Sequence, residues 1–208
     1  MHIDNRVWRD FFDGLFSIGS LLLAIFFGAA LGNVVRGVPL MPDHYFFLPL
    51  WTDFKPGPNP GVLDWYTVLA AGVALIALTI HGANYLAVKT NAELGRRARA
   101  VARRLWPLLA LVTVASCVAT LFVRPQVTRN YTEYPIGFVI PAVVAGSLIV
   151  MFTAQRAGND RRAFLSSCAY LMPCWAERLT LFIRQFCPRP IRRYRTSPSI
   201  MPLPPIFA

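Results

Sequence analysis

Four long apolar runs constrain the fold of this 208-residue chain more than any other feature of its sequence. A bilayer core about 30 Å thick requires roughly 20 apolar residues in an α-helix. The runs that meet this length, each without a charged residue, are 14–35, 65–88, 105–123 and 134–155. Because a charged side chain at the centre of a span costs about 2.5–3.5 kcal/mol on insertion scales, each run predicts a transmembrane helix.

A fifth apolar stretch, residues 163–176, is too short to span a bilayer and contains Pro173. It predicts a short, interrupted helix. The expected fold class is therefore all-α transmembrane, with four spanning helices at about 14–35, 65–88, 105–123 and 134–155 and this short fifth helix. Charged residues make up 15% of the chain, against about 25% in soluble domains, which excludes a soluble enzyme.

The basic residues between the runs predict the orientation in the membrane. The segment between the second and third runs carries one acid, Glu93, and six basic residues: Lys89, Arg96, Arg97, Arg99, Arg103 and Arg104. The loops 36–64 and 124–133 are poorer in Lys and Arg. By the positive-inside rule, the arginine-rich loop 89–104 and the segment after residue 155 are cytoplasmic. Both termini are then expected on the cytoplasmic side.

The net charge of +11 raises the alternative of a nucleic-acid-binding protein. Such a protein needs its basic side chains on one face that phosphates can reach. Here much of the charge lies between transmembrane runs or in the last 33 residues, 176–208. We therefore expect no nucleic-acid partner.

One histidine, His81, lies inside a predicted span, three residues before Asn84. A polar residue at that depth is by default a hypothesis about function. Three interpretations remain open: a hydrogen bond across helices together with Thr79 and Asn84, a contact with a quinone, or ligation of a haem. His81 and Asn84 are thus the candidate cofactor-contacting residues.

Gly28 and Gly32 form a G-x-x-x-G motif that Asn33 extends, and this spacing predicts close packing between helices. No complete set of catalytic residues is recognisable, and no catalytic residue is predicted. The cysteines, which form no C-x-x-C pair and predict no metal site, are Cys117, Cys168, Cys174 and Cys187.

Several stretches of the chain share the pattern of one membrane-protein family. They read WRDFFDG over 8–14, GAALGNVVRGVP over 28–39, HGANYLAVKT over 81–90 and RAFLSS over 162–167. In this order and spacing they resemble subunit II of the cytochrome bd-type, cyanide-insensitive-type quinol oxidases over about residues 5–171. The element A-L-G-N-x-x-x-G-V-P at the end of a helix is the most specific of them.

The resemblance implies a structural membrane subunit of a terminal quinol oxidase in the inner membrane of a bacterium. In that family the haems and the quinol-oxidising loop belong mainly to subunit I. This chain is therefore expected to bind no haem or metal itself, to be inactive alone, and to have subunit I, membrane lipids and the quinol pool as partners, with a bound quinone as a further expectation. The alternative is a small membrane scaffold or transporter-like bundle with no redox role.

Both ends depart from the family pattern. Family members begin with about three further helices, so the chain is expected to be a fragment. A membrane domain over 1–172 is followed by a Pro- and Arg-rich tail over 173–208, expected to be disordered or non-native. Back-translation from the last base of the Cys174 codon permits Leu-Gly-Gly-Ala-Leu-Asp-Pro-Leu-Tyr-Pro-Ser-Val-Leu-Pro-Ser-Ser, which is similar to the missing family segment. The hypothesis is a frameshift near residue 173.

Overall fold

The structure, a computed structural model, describes residues 6–37, 49–56, 61–90, 92–123 and 138–186. These ranges form five helices: α1 Arg6–Arg36, α2 Trp65–Lys89, α3 Ala92–Val123, α4 Val139–Arg156 and α5 Asp160–Phe186. Within them there is no β-strand, and an isolated bridge pairs Trp51 with Leu63. The predicted all-α class is confirmed.

Four of the helices are long and apolar enough to cross a membrane: Trp8–Arg36, Trp65–Lys89, Glu93–Val123 and Val139–Arg156. The four predicted spans are confirmed, although two helices begin earlier than their apolar runs. Residues 92–104, which we predicted as loop, form the first turns of α3. Ala, Arg, Leu and Glu dominate this segment, and these residues favour helix even where they are too polar for the membrane. Residues 134–137 of the fourth predicted run lie outside the described residues.

The fifth helix is longer than predicted and continues through Pro173, as α3 continues through Pro107. A proline removes one helical hydrogen bond, but neighbouring groups can satisfy the freed carbonyl in membrane helices. By its internal contacts the chain divides into two compact units, 1–173 and 174–208. In the second unit residues 174–186 are helical, and residues 187–208 of the predicted tail lie outside the described residues. The contacts discussed below belong to the first unit.

The G-x-x-x-G motif of α1 lies against α2. A Cβ atom added to Gly28 would lie 2.6 Å from Ala74 Cβ and 2.7 Å from Ala71 Cα. One added to Gly32 would lie 2.8 Å from Ala70 Cβ. Both positions therefore need glycine at this distance between the helices, and the motif packs two helices of the same chain.

The hydrophobic core lies among α2, α3, α4 and α5. Its largest fully buried apolar side chains are Ile80, Leu109 and Met151, one from each of the first three of these helices. Small residues surround them and let the helices approach, and Tyr170 of α5 completes the cluster. By contrast, every residue of α1 from 8 to 23 is exposed, including the large apolar side chains in this half of the helix.

Candidate functional site

A buried ion pair joins the end of α1 to the start of α2. Arg36 Nη1 pairs with Asp64 Oδ2 and also donates to Gly61 O at 3.0 Å. Arg36 Nη2 donates to Asn33 Oδ1 at 2.8 Å. Arg36 is 8% exposed and Asp64 is fully buried. We call these residues, together with Thr67, the Arg36 cluster.

Local sequence explains why the Arg36 cluster forms. Asp64 is the N-cap of α2: its Oδ1 accepts from Thr67 N at 2.8 Å, and its own N–H donates to Thr67 Oγ1 at 2.9 Å. This capping box holds the carboxylate in the position where it pairs with Arg36. Asn33 Nδ2 donates to Val62 O at 2.9 Å, so the residue predicted to aid packing also holds the segment that precedes α2.

His81 contacts α5 by a hydrogen bond and by stacking. Its Nδ1 lies 2.9 Å from Ser167 Oγ, and its ring stacks on Phe164 with the centroids 5.1 Å apart. Thr79, which we expected to bond across helices with His81, donates instead to Leu75 O of its own helix at 2.7 Å. The interhelical partner of His81 is therefore Ser167.

Asn84, one turn further along α2, is buried among three helices. Its Nδ2 lies 3.4 Å from Ala163 O of α5 and 3.6 Å from Met151 Sδ of α4. Its Oδ1 accepts from Gln155 Nε2 at 3.3 Å. His81, Asn84, Gln155, Phe164 and Ser167 form what we call the His81 cluster. Its polar groups are all neutral when the imidazole is neutral.

Two arginines of α3 fix the turn between α4 and α5 beside this cluster. Arg99 Nε and Nη2 each donate to one carboxylate oxygen of Asp160 at 2.9 Å, a bidentate geometry. Arg103 donates twice to Gln155 O, at 3.1 and 2.6 Å. Gly158 supplies the positive φ of 71° in the turn. Arg99 and Arg103, which we used only to predict the orientation in the membrane, therefore also make structural contacts.

The hydrogen bonds of both clusters join helices and position side chains. In the described part of the chain, no three His, Cys, Asp or Glu side chains are grouped so that they could hold a metal ion. A polar hollow of about 400 Å³ lies at the α4–α5 turn, and its lining residues, Val88 and 157–161, do not include His81. The interhelical pair Thr113 Oγ1–Tyr170 Oη at 2.7 Å adds to the positioning.

Sequence reasoning missed the partners in each cluster. Arg36 and Asp64 entered our argument only as the bounds of the loop 36–64, although Asp64 with Thr67 has the spacing of a capping box, which marks a helix start. Ser167 and Phe164 were quoted as part of a motif without a role. Ser167 lies 86 positions from His81 in the chain, and a local sequence pattern does not indicate contacts between residues so far apart.

The fold and the clusters define a polytopic helical membrane protein whose helices are joined by buried polar contacts. The sequence matches the family described as cytochrome bd terminal oxidase subunit II over residues 1–189. The chain belongs to this family, which confirms the resemblance seen in its motifs. The match continues past residue 171, where the motif resemblance ends. The frameshift near residue 173 stays a prediction that sequencing the gene tests.

Two related proteins have names that agree with this family. The probable cytochrome oxidase subunit 2 of Haemophilus influenzae is 31% identical over 185 residues, which cover 75% of this chain and 47% of the relative. The cytochrome bd-I ubiquinol oxidase subunit 2 of Escherichia coli strain K12 is 34% identical over 192 residues, covering 78% of this chain and 48% of the relative. The chain thus spans about half the length of the curated relatives it matches.

Proposed function

We propose that the chain is a structural membrane subunit of a terminal oxidase that oxidises quinol and reduces dioxygen. Its family membership over residues 1–189 is the observation that carries this proposal. The four helices suited to a membrane are consistent with it. The chain's own residues supply packing and polar contacts between helices, and the proposed partner, oxidase subunit I, supplies the reaction centre.

We assign the haems to that partner. A haem needs an axial His, Met or Cys beside a slot that admits the macrocycle. In the described residues His81 is stacked on Phe164, and Met151 is fully buried in the core. These surroundings fit helix packing better than haem ligation. Quinol and membrane lipids complete the proposed set of partners.

Co-purification tests the proposed function. The tagged full chain is isolated in mild detergent from cells that carry its gene, and the visible spectrum of the eluate is recorded. We expect a partner chain with haem absorbance. A tagged, unrelated protein with four membrane spans is the control. A tagged chain that elutes without haem would favour a scaffold or transporter-like bundle.

The proposed localisation is the bacterial inner membrane, with the start of α3 and the α4–α5 turn on the cytoplasmic side. The exposed arginines of α3, Arg96, Arg97 and Arg104, support this orientation. Single cysteines at Arg97 and at Thr52, in a background without native cysteine, test it with a reagent that does not cross membranes. Only the Thr52→Cys variant should be labelled in intact cells with a permeable outer membrane. Labelling of Arg97→Cys in such cells would reverse the orientation.

A further inference from the structure

We propose that the stacked rings of Trp51 and Phe54 insert into the phospholipid head-group layer at the membrane surface where α2 begins. Both rings belong to residues 49–56, which we call the Trp51 loop. The inference adds to the proposed function the place at which the chain contacts lipid head groups, and of that proposal it needs only that α2 crosses a membrane. Three observations carry it: the attachment of the loop to α2, the exposure of its rings, and the backbone conformation of Phe54.

The Trp51 loop is tied to the residues that precede α2. Three backbone hydrogen bonds join the two segments: from Val62 N to Pro49 O at 3.0 Å, from Leu63 N to Leu50 O at 3.0 Å and from Trp65 N to Phe54 O at 3.3 Å. A Cβ atom added to Gly61 would lie 3.0 Å from Thr52 N, so the segments are in close contact. Arg36 Nη1 and Asn33 Nδ2 donate to the carbonyl oxygens of Gly61 and Val62. The loop is therefore a fixed part of the α1–α2 junction.

This attachment places the loop at the level of the lipid head groups. Trp65 is the first residue of α2 and of its candidate membrane span, and Phe54 O lies 3.3 Å from Trp65 N. The head-group region is roughly 5–8 Å thick on each side of the hydrocarbon core. Tryptophan is enriched in this region because its ring combines an apolar body with a polar N–H group. Since α2 begins beside the Trp51 loop, the rings of the loop are within reach of that region.

The rings of the loop are exposed and lie next to charges of both signs. Trp51 is 60% exposed and Phe54 is 37% exposed, and their rings stack at an interplanar angle of 27° with the centroids 5.2 Å apart. Asp53 and Lys55, on either side of Phe54 in the chain, are exposed as well. A phosphatidylethanolamine head group offers a phosphate to the lysine and an ammonium group to the aspartate. The cores of protein interfaces are depleted of charged residues, so this pattern favours lipid over another chain as the occupant.

The backbone of Phe54 is held in a conformation that favours glycine. Its φ is 60°, a left-handed value that bulky residues rarely adopt. In this conformation the Phe54 carbonyl accepts a hydrogen bond from Trp65 N while the Phe54 ring stacks on Trp51. Strained residues of this kind are held by their surroundings and are frequent at functional sites. A loop that served only as a connection would need no aromatic ring at such a position.

The test uses the full chain reconstituted in vesicles of phosphatidylethanolamine and phosphatidylcholine. Part of the phosphatidylcholine is replaced by a form that is brominated on its acyl chains, either near the head group or near the bilayer centre. The fluorescence of Trp51 is obtained as the difference between the native chain and Trp51→Phe. We expect bromine near the head group to quench this fluorescence more than bromine near the bilayer centre.

Phe54→Gly removes the second ring and leaves a residue that adopts a φ of 60° freely, so the loop keeps its conformation. The quenching of Trp51 by bromine near the head group should fall in this variant, measured against the same chain with Trp51→Phe added. Lys55→Ala is the matched control, because it leaves both rings in place and a single exposed charge contributes little. Helical circular dichroism checks that every variant is folded.

Stronger quenching near the head group that falls in Phe54→Gly, but not in Lys55→Ala, supports the inference. Three results overturn it: no quenching by either lipid, stronger quenching by bromine near the bilayer centre, or equal quenching in Phe54→Gly and the native chain. Where neither lipid quenches, acrylamide in the water shows whether the Trp51 ring lies in water or is covered by another chain. Haem co-purification is scored separately: haem without lipid quenching defeats this inference alone, and lipid quenching without a haem-bearing partner defeats the proposed function alone.

Discussion

The Arg36 cluster and the His81 cluster lie toward opposite ends of α2 and differ in the charge of the polar groups that they bury. In the first, two full charges are buried and paired with each other, and among the described residues Arg36 Nε is the one buried side-chain nitrogen or oxygen without a hydrogen-bond partner. In the second, the interior holds neutral groups, and the charged pair Arg99–Asp160 lies at the edge, with its side chains 40% and 24% exposed. The first cluster therefore joins two helices through a buried charge pair, whereas the second joins its helices through neutral groups.

The difference has an energetic consequence. Withdrawing a charge from water costs several kcal/mol, and a close partner with further hydrogen bonds is needed to offset it. Arg36 has such partners in Asp64, Gly61 and Asn33. The loss of one partner should therefore be much more damaging in the Arg36 cluster than at the edge of the His81 cluster.

The largest expected effect is that of Asp64→Asn. The amide has nearly the shape of the carboxylate and is a good N-cap. The substitution removes the charge that neutralises Arg36 and leaves one acceptor oxygen where Asp64 has two, one for Thr67 N and one for Arg36 Nη1. Breaking a buried pair in this way costs about 3–5 kcal/mol. We expect a large fall in the thermal midpoint of the chain in detergent, followed by loss of helical circular dichroism.

The double variant Arg36→Gln with Asp64→Asn is the control for that experiment. It removes both charges, and neutral replacements of buried pairs are often tolerated. Most of the lost stability should return. A double variant as unstable as the single one would show that the charge pair is not the reason for the loss.

The second largest effect is expected from Gly28→Ala. The added methyl group would lie 2.7 Å from the Ala71 Cα atom, and backbone cannot move aside as a flexible side chain can. Overpacking of this kind costs about 1–3 kcal/mol. Gly19→Ala on the same helix is the matched control, since nothing lies within 4 Å of its added Cβ. Equal thermal midpoints for the two variants would contradict the close α1–α2 contact.

Much of the fold could be predicted from the sequence because the membrane imposes one length and one polarity on each span. The second span, predicted as 65–88, is Trp65–Lys89 in the structure. The polar ends of the helices were harder to predict, because α3 begins at Ala92, whereas the apolar run that predicted it begins at Leu105. Hydropathy reports where a helix enters the bilayer, whereas helix propensity and capping determine where it begins.

Single residues of the candidate sites could be predicted from the sequence, but the partners that group them into clusters could not. Polar or small residues within a membrane span often have a functional or packing role. On this ground the sequence selected His81, Asn84, Gly28, Gly32 and Asn33. Their partners come from segments far along the chain, such as Ala163 for Asn84. Such pairing depends on how helices pack, and hydrophobic periodicity does not specify that packing in a membrane, where both faces can be apolar.

Asn84→Ala tests the buried part of the His81 cluster. It removes the acceptor of Gln155 Nε2 and two contacts of the amide nitrogen. All of these groups are neutral, and interhelical hydrogen bonds in membranes average about 0.6 kcal/mol and reach about 1.7. We expect a loss of about 1–2 kcal/mol, again from the thermal midpoint, which is smaller than that of Asp64→Asn. An equal or larger loss would remove the distinction between the two clusters.

The smallest effect is expected at the exposed edge, from Arg99→Gln. The bidentate pair with Asp160 is partly exposed, so water and salt weaken it, and we expect a smaller fall in the thermal midpoint than for Asn84→Ala. Arg97→Gln is the control, because its pair with Glu93 lies within one helix turn with both side chains mostly exposed, and it should change the thermal midpoint very little. Raising the salt concentration should reduce the difference between the two variants. If Arg99→Gln destabilises the chain as much as Asp64→Asn does, the α4–α5 turn depends on its charges as strongly as the α1–α2 junction, and the two ends of α2 do not differ as we argue.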